Sequence, residues 1–119
     1  MKNYKTYFKD KLAFIIGGSE GIGKSTASLL IDLNCRVVIF SRNQKKLELA
    51  KSSIQKIETI QLDVTDYIQT ENVLNAAIKK YGVPDYLINS AGMARPGYIH
   101  ELDINQIEAM MRLNYMGIV

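Results

Sequence analysis

The sequence predicts an open α/β fold on a parallel sheet, and three observations carry that reading. Short apolar runs alternate with longer segments of helical period, the connections between them are brief, and the first run ends in a cluster of glycines. Strands buried on both faces of a parallel sheet read as unbroken apolar runs. Crossovers this short fit right-handed parallel connections.

Leu12 to Ile16, Leu-Ala-Phe-Ile-Ile, is the first such run and stops at Gly17. From Gly21 to Leu33 the apolar residues Ile22, Leu29, Leu30 and Leu33 recur near helical spacing, which predicts a helix burying them, with Asn34 as its stop. Val37 to Phe40 is a second buried strand, and Leu47, Ala50 and Ile54 line one face of a second helix. Ile57 to Leu62 is a third strand. Asp66 can cap a third helix, whose stripe of Val73, Leu74, Ala77, Ile78 and Tyr81 runs to Gly82 and Pro84. Tyr86 to Ile88 is a fourth strand. Asp103 with Gln106 has the spacing of a capping box and opens a last helix, with Ile107, Met111 and Asn114 on one face, so that Asn114 is expected to point inward.

A chain of 119 residues supports one compact domain without room for a second core. Its 15 basic and 12 acidic residues are scattered, so the net charge of +3 implies no nucleic-acid partner. Cys35 is the single cysteine, which excludes an intrachain disulfide and a cysteine-based metal cluster and fits a reducing, cytoplasmic address. No apolar run approaches the roughly 18 residues of a membrane span, and the first residues lack the apolar stretch of a signal peptide. The elements amount to the first half of a Rossmann-type doubly wound sheet, so residues 1–119 are read as the amino-terminal portion of a protein about twice as long.

The turn after the first strand satisfies three motif patterns. As GxxxGxG, Gly17, Gly21 and Gly23 let the backbone turn tightly and bring a helix N-terminus against the diphosphate of a dinucleotide. As GxxxxGK[ST], Gly18, Gly23, Lys24 and Ser25 match a phosphate-binding P-loop. As GxSxG, Gly17, Ser19 and Gly21 match a nucleophile elbow, which would need a histidine partner that only His100 could supply. The end of the second strand favours the dinucleotide. It holds Ser41 and Arg42, where an acid would bind the ribose hydroxyls of NAD, and a guanidinium there suits the 2′-phosphate of NADP(H). Lys46, one helical turn on, can add a second positive charge. The alternative is that both are solvated cations on an exposed helix start.

Gly-Gly-Ser-Glu-Gly-Ile-Gly at 17–23, Ser-Arg-Asn at 41–43 with Lys46 and Leu47, Leu-Asp-Val at 62–64, Asn-Ser-Ala-Gly at 89–92 and Asn-Tyr-Met-Gly at 114–117 resemble the short-chain dehydrogenase/reductase family, in order and over nearly the whole chain. Within it, the glycine turn, the Ser41 segment and Asn89 to Ala94 are most similar to 3-ketodihydrosphingosine (3-dehydrosphinganine) reductases. The resemblance implies NADP(H)-dependent hydride transfer to a carbonyl or from a secondary alcohol, a lipid-like substrate such as a long-chain 3-keto amine, and a homo-oligomeric parent. It places Gly17, Ser19, Glu20, Gly21, Ile22 and Gly23 on the cofactor's phosphates. It gives Asp63 and Val64 to the adenine, the first otherwise an ordinary turn residue, and Asn89, Ala91 and Gly92 to the nicotinamide side. Asn114 becomes a catalytic-site residue supporting a proton relay, the alternative being a core amide satisfied by backbone.

Two positions depart from the family pattern. Ile16 stands where a threonine is common, and Glu20 puts a carboxylate in the phosphate turn, where it must point to solvent or oppose the cofactor's charge. The family's catalytic Ser and Tyr-x-x-x-Lys are expected downstream of Val119, since Tyr81, Tyr86, Tyr98 and Tyr115 have no lysine four positions on. A non-catalytic nucleotide-binding or redox-sensing module is the rival reading, and a P-loop NTPase a more distant one. The 119-residue polypeptide alone is expected to bind nucleotide without reducing carbonyls. Following NADPH absorbance with a carbonyl substrate checks this, and measurable turnover overturns it.

Overall fold

The computed structural model describes residues 3–119. Four parallel strands, β1 (Leu12–Ile16), β2 (Arg36–Ser41), β3 (Glu58–Gln61) and β4 (Tyr86–Asn89), lie in the order β3-β2-β1-β4. The helices are α1 (Tyr4–Phe8), α2 (Gly21–Asp32), α3 (Gln44–Ser53), α4 (Tyr67–Tyr81) and α5 (Ile104–Met111), the last continued by a π-helical turn over Arg112–Met116.

All five residues of β1 are buried because the sheet is covered on both faces, and the period of two sends successive side chains to different cores. Ala13 and Ile15 join Val37 and Ile39 of β2 under α2 and α3, which contribute Ala27, Leu30, Leu47 and Ala50. Leu12, Phe14 and Ile16 join Val38 and Phe40 on the other face, covered by Ala77, Val73, Leu74 and Ile78 of α4 and by Leu113. The chain winds outward from β1 to β3 with its helices on one face, then returns through α4 on the other to place β4 beside β1. The winding reverses between β1 and β4, which opens a crevice beyond their carboxyl ends.

Helix ends follow the local chemistry. Asn43 accepts from the Lys46 N–H and Asp66 from the Gln69 N–H, so each caps its helix, and Asp103 with Gln106 forms the expected capping box on α5. Asn34, at φ +61°, turns the chain after α2, and Gly82, at φ +106°, ends α4.

Three expectations change. Leu30 is buried as expected, but Ile22 and Leu29 are 82% and 60% exposed; Gly23 and Ala27 are buried in their place, since the small residues let α2 approach the sheet closely. Met111 is exposed and Asn114 is not turned into the core. The wider π-helical turn changes the angular spacing after Met111, so Leu113 becomes the buried residue of that segment. Finally, α1 was not legible as a helix; Phe8, its last residue, packs on Tyr86 with ring centroids 5.5 Å apart.

Phe14 and Phe40 meet edge to face, centroids 5.2 Å apart, both essentially without solvent contact. Phe14→Ala is expected to cost about 3–5 kcal/mol, read from the midpoint of urea unfolding. A loss below about 1 kcal/mol would contradict this packing.

Candidate functional site

A cleft of about 360 Å³ opens where the crevice between β1 and β4 meets the end of β2. Its size falls in the range of small-molecule sites, about 300–1,000 Å³. The turn after β1 forms its floor. Gly17 sits at φ +79°, and a Cβ there would stand 2.5 Å from the Ala91 nitrogen. Gly23, in the first turn of α2, has no room either: its Cβ would lie 2.2 Å from the Gly17 carbonyl oxygen. The exits of β1 and β4 and the start of α2 thus touch through bare backbone. The Gly17 N–H donates to the Phe40 carbonyl at 2.8 Å and the Ser90 N–H to the Ile16 carbonyl at 2.8 Å, tying the turn to the neighbouring strands.

Helix α2 begins at this floor without a side-chain cap, unlike α3, α4 and α5. The first N–H groups of a helix have no intrahelical acceptor, so they and the positive end of the dipole are available to an anion. No Cβ contact within 4 Å would meet a side chain at Gly21, which leaves that approach open. The turn therefore fits a diphosphate.

Gly17, Ser19, Glu20, Gly21 and Ile22 line the cleft on this side. Gly23 does not line it and supports the turn from beneath. Ser41, Arg42 and Lys46 form the next wall. Buried Ser19 donates its hydroxyl to Ser41 Oγ at 2.8 Å, fixing the β1 turn against the end of β2. Glu20 does not stand alone in solvent: Lys46 Nζ lies 2.8 Å from both its carboxylate oxygens. Arg42 is exposed, and its carbonyl accepts from Gln61 Nε2 at 3.0 Å.

Asp63 and Val64 line the third wall. Asp63 Oδ1 accepts from the Thr65 hydroxyl at 2.6 Å and the Thr65 N–H at 3.0 Å, closing a turn. The hydroxyl bond, opposed by partial burial and helped by the Thr65 N–H and the Arg42 charge, holds the carboxyl below the usual aspartate range. The carboxylate is thus ionised at neutral pH and already committed through one oxygen to its own loop.

Ala91 and Gly92 line the fourth side, whereas Asn89 does not; its Oδ1 accepts from the Ala91 N–H at 3.2 Å and holds the strand exit. Asn114 is also outside the lining. Its amide pairs both ways with the Met93 backbone, Oδ1 accepting from N–H and Nδ2 donating to the carbonyl, each at 2.8 Å. Asn114 thereby pins the loop after Gly92. Sequence reasoning overlooked Phe40, Asn43, Leu62, Ser90 and Leu113, which also line the cleft. Phe40, Leu62 and Ser90 sit at or just beyond strand ends that parallel register brings together, Asn43 follows at the cap of α3, and Leu113 arrives on the π-helical turn.

The competing motifs fare differently. Lys24 and Ser25 lie on a shallow outer groove beside Ile22 and Leu29 rather than in the cleft, so the lysine and serine of the P-loop pattern are turned away from the glycine turn's anion site. Ser19 is buried against Ser41, and His100 is exposed, 3.9 Å from Glu101, so no nucleophile elbow forms. Tyr7 and Lys11 have Tyr-x-x-x-Lys spacing, but they precede β1 and sit at the sheet edge opposite the cleft. No cluster of three or more metal-ligating side chains occurs among the described residues, and no helix there is long and apolar enough to cross a membrane.

Gly23→Ala must displace the Gly17 backbone, and overpacking of this kind costs about 1–3 kcal/mol. Urea unfolding of Gly23→Ala against wild type checks it, and unchanged stability would refute the close contact.

Comparison with known proteins agrees with the geometry. The family model for short chain dehydrogenases matches residues 11–119. A 3-ketodihydrosphingosine reductase of Bos taurus is 37% identical over 114 aligned positions, covering 88% of this chain and 34% of the bovine protein. A 3-dehydrosphinganine reductase of Danio rerio is 33% identical over the same extent. The chain therefore spans about a third of the length of these relatives. The crystal structure of a short chain dehydrogenase from Bacillus anthracis superposes with a TM-score of 0.88 at 31% identity, covering 93% of this chain and 46% of that one. With its glycine turn, its switch-point cleft and a matching model over residues 11–119, the chain belongs to the short-chain dehydrogenase family.

Proposed function

We propose that the cleft binds NADP(H) and that residues 1–119 form the dinucleotide-binding part of an oxidoreductase acting on a carbonyl or secondary alcohol. The observation that carries this reading is the uncapped start of α2 facing the same cleft as Arg42 and Lys46. The first supplies donors for a diphosphate, and the second supplies cations about one crossover away, where a 2′-phosphate on the adenosine ribose would lie. An acid at Arg42 would reverse that preference.

The nicotinamide cofactor, when bound, supplies or accepts the hydride. The residues of this chain bind and orient. Gly17 and Gly21 keep side chains out of the diphosphate's path, Gly23 lets α2 pack against the turn from beneath, Ser19 and Ser41 lock the turn to the end of β2, and Asp63 and Val64 flank the adenine side. Ala91 and Gly92 leave space beside the β4 exit for the nicotinamide ribose. Asn114 acts as a positioning residue that holds the Met93 backbone, and with it the loop that borders this space, while its place in a proton relay rests on family resemblance.

The substrate class we favour is a long-chain 3-keto amine, supported by the 37% identity to the bovine 3-ketodihydrosphingosine reductase. The single cysteine, Cys35, is free of any disulfide, which fits a reducing compartment.

Titration of the protein with NADPH and NADH, followed by nicotinamide fluorescence, is expected to show tighter binding of NADPH. Arg42→Ala should reduce that preference by roughly tenfold, as for a charge-assisted hydrogen bond worth about 1.5–3 kcal/mol weakened by exposure. Equal affinities in the wild type would remove the NADP(H) assignment.

A further inference from the structure

The two cations that line the cleft are not equivalent. Arg42 acts on Asp63 only at longer range and has no carboxylate within 4.0 Å among the described residues, whereas Lys46 Nζ is chelated by both oxygens of Glu20 at 2.8 Å. Among the described residues this is the one Lys or Arg side chain paired with a carboxylate within 4.0 Å, although the chain holds 15 basic and 12 acidic residues. The pair spans 26 positions and joins the N-terminal ends of α2 and α3 across the cleft, which both residues line. It is also half exposed, with side chains 44% and 66% accessible, so the bond is open to exchange with a competing anion.

We propose that Glu20 is a specificity-determining residue: its carboxylate occupies the Lys46 ammonium and so limits the selectivity of the cleft for a 2′-phosphorylated over an unphosphorylated adenine nucleotide. The inference rests on the NADP(H) reading of this site and adds an internal competitor to it. A 2′-phosphate meets the Arg42 guanidinium directly, but it must displace Glu20 to recruit Lys46. Glu20 has a second, separable effect. Its charge opposes the diphosphate, which phosphorylated and unphosphorylated dinucleotides share, so that effect cancels in the ratio of their affinities. Two effects do change the ratio, the hold on Lys46 and a direct repulsion of the 2′-phosphate, and only the first needs the lysine.

The test uses adenosine 2′,5′-bisphosphate and 5′-AMP as probes, titrated calorimetrically into the full-length protein at low salt. Glu20→Gln keeps the side chain's size and removes the charge. It is expected to raise the preference for the bisphosphate by two- to fivefold, the range open to an ion pair this exposed. In a Lys46→Met background the same substitution should raise the ratio clearly less, because only the direct repulsion remains to be relieved. An unmoved ratio in Glu20→Gln, or an equal rise with Lys46→Met, overturns the proposal. The underlying reading fails separately: a wild type without preference for the bisphosphate, unaffected by Arg42→Ala, removes the 2′-phosphate site itself.

Discussion

Backbone meets backbone at the carboxyl edge of the sheet, and that contact organises the molecule. Gly17, Gly23 and Ala91 come from the exit of β1, the first turn of α2 and the exit of β4, and a single added carbon at either glycine would collide with main chain. Close approach here sets the angle at which α2 leaves the sheet and allows Ala27 and Leu30 to reach the core formed by β1 and β2. It also aims the free N–H groups of α2 at the crevice. One steric constraint therefore couples packing on one face of the sheet to the chemistry available at its edge.

Around that floor, short polar contacts fix the walls. The Ser19–Ser41 hydrogen bond, the Asp63–Thr65 turn, the Asn89 bond to the Ala91 N–H and the Asn114 clasp on Met93 each immobilise a strand exit. None of these groups needs a bound molecule to be satisfied, so the cleft is held in shape before anything enters it. Binding to such a surface loses less conformational entropy than binding to loops that must be ordered. The exposed Glu20–Lys46 pair is the exception, a contact weak enough to be traded.

Much of the site was legible because strand ends in a parallel sheet converge. Apolar runs gave the strand positions, the glycine turn and Ser41 could be read from local chemistry, and the family resemblance added Asp63 and Ala91 at the ends of the other two strands, all four lining one cleft. Periodicity misled where small residues carried the packing. In α2 the exposed Ile22 and Leu29 look like a core stripe, while Gly23 and Ala27 do the burying because they permit closer approach. Asn114 was misplaced for a related reason, since a π-helical turn breaks the 3.6-residue spacing on which its inward direction depended.

Residue identity by itself determined the order of strands and helices, the helix caps at Asp66 and Asp103, the glycine turn and the cationic character of the end of β2, all of which depend on local chemistry or spacing. Tertiary structure decided which of three overlapping motifs the turn obeys, by carrying Lys24 and Ser25 to the outside of α2 and closing Ser19 onto Ser41. It also decided that Lys46 faces a carboxylate rather than open solvent. Those outcomes depend on how two helices settle on the sheet, and contacts between residues 22 or 26 positions apart have no signature in a one-dimensional pattern.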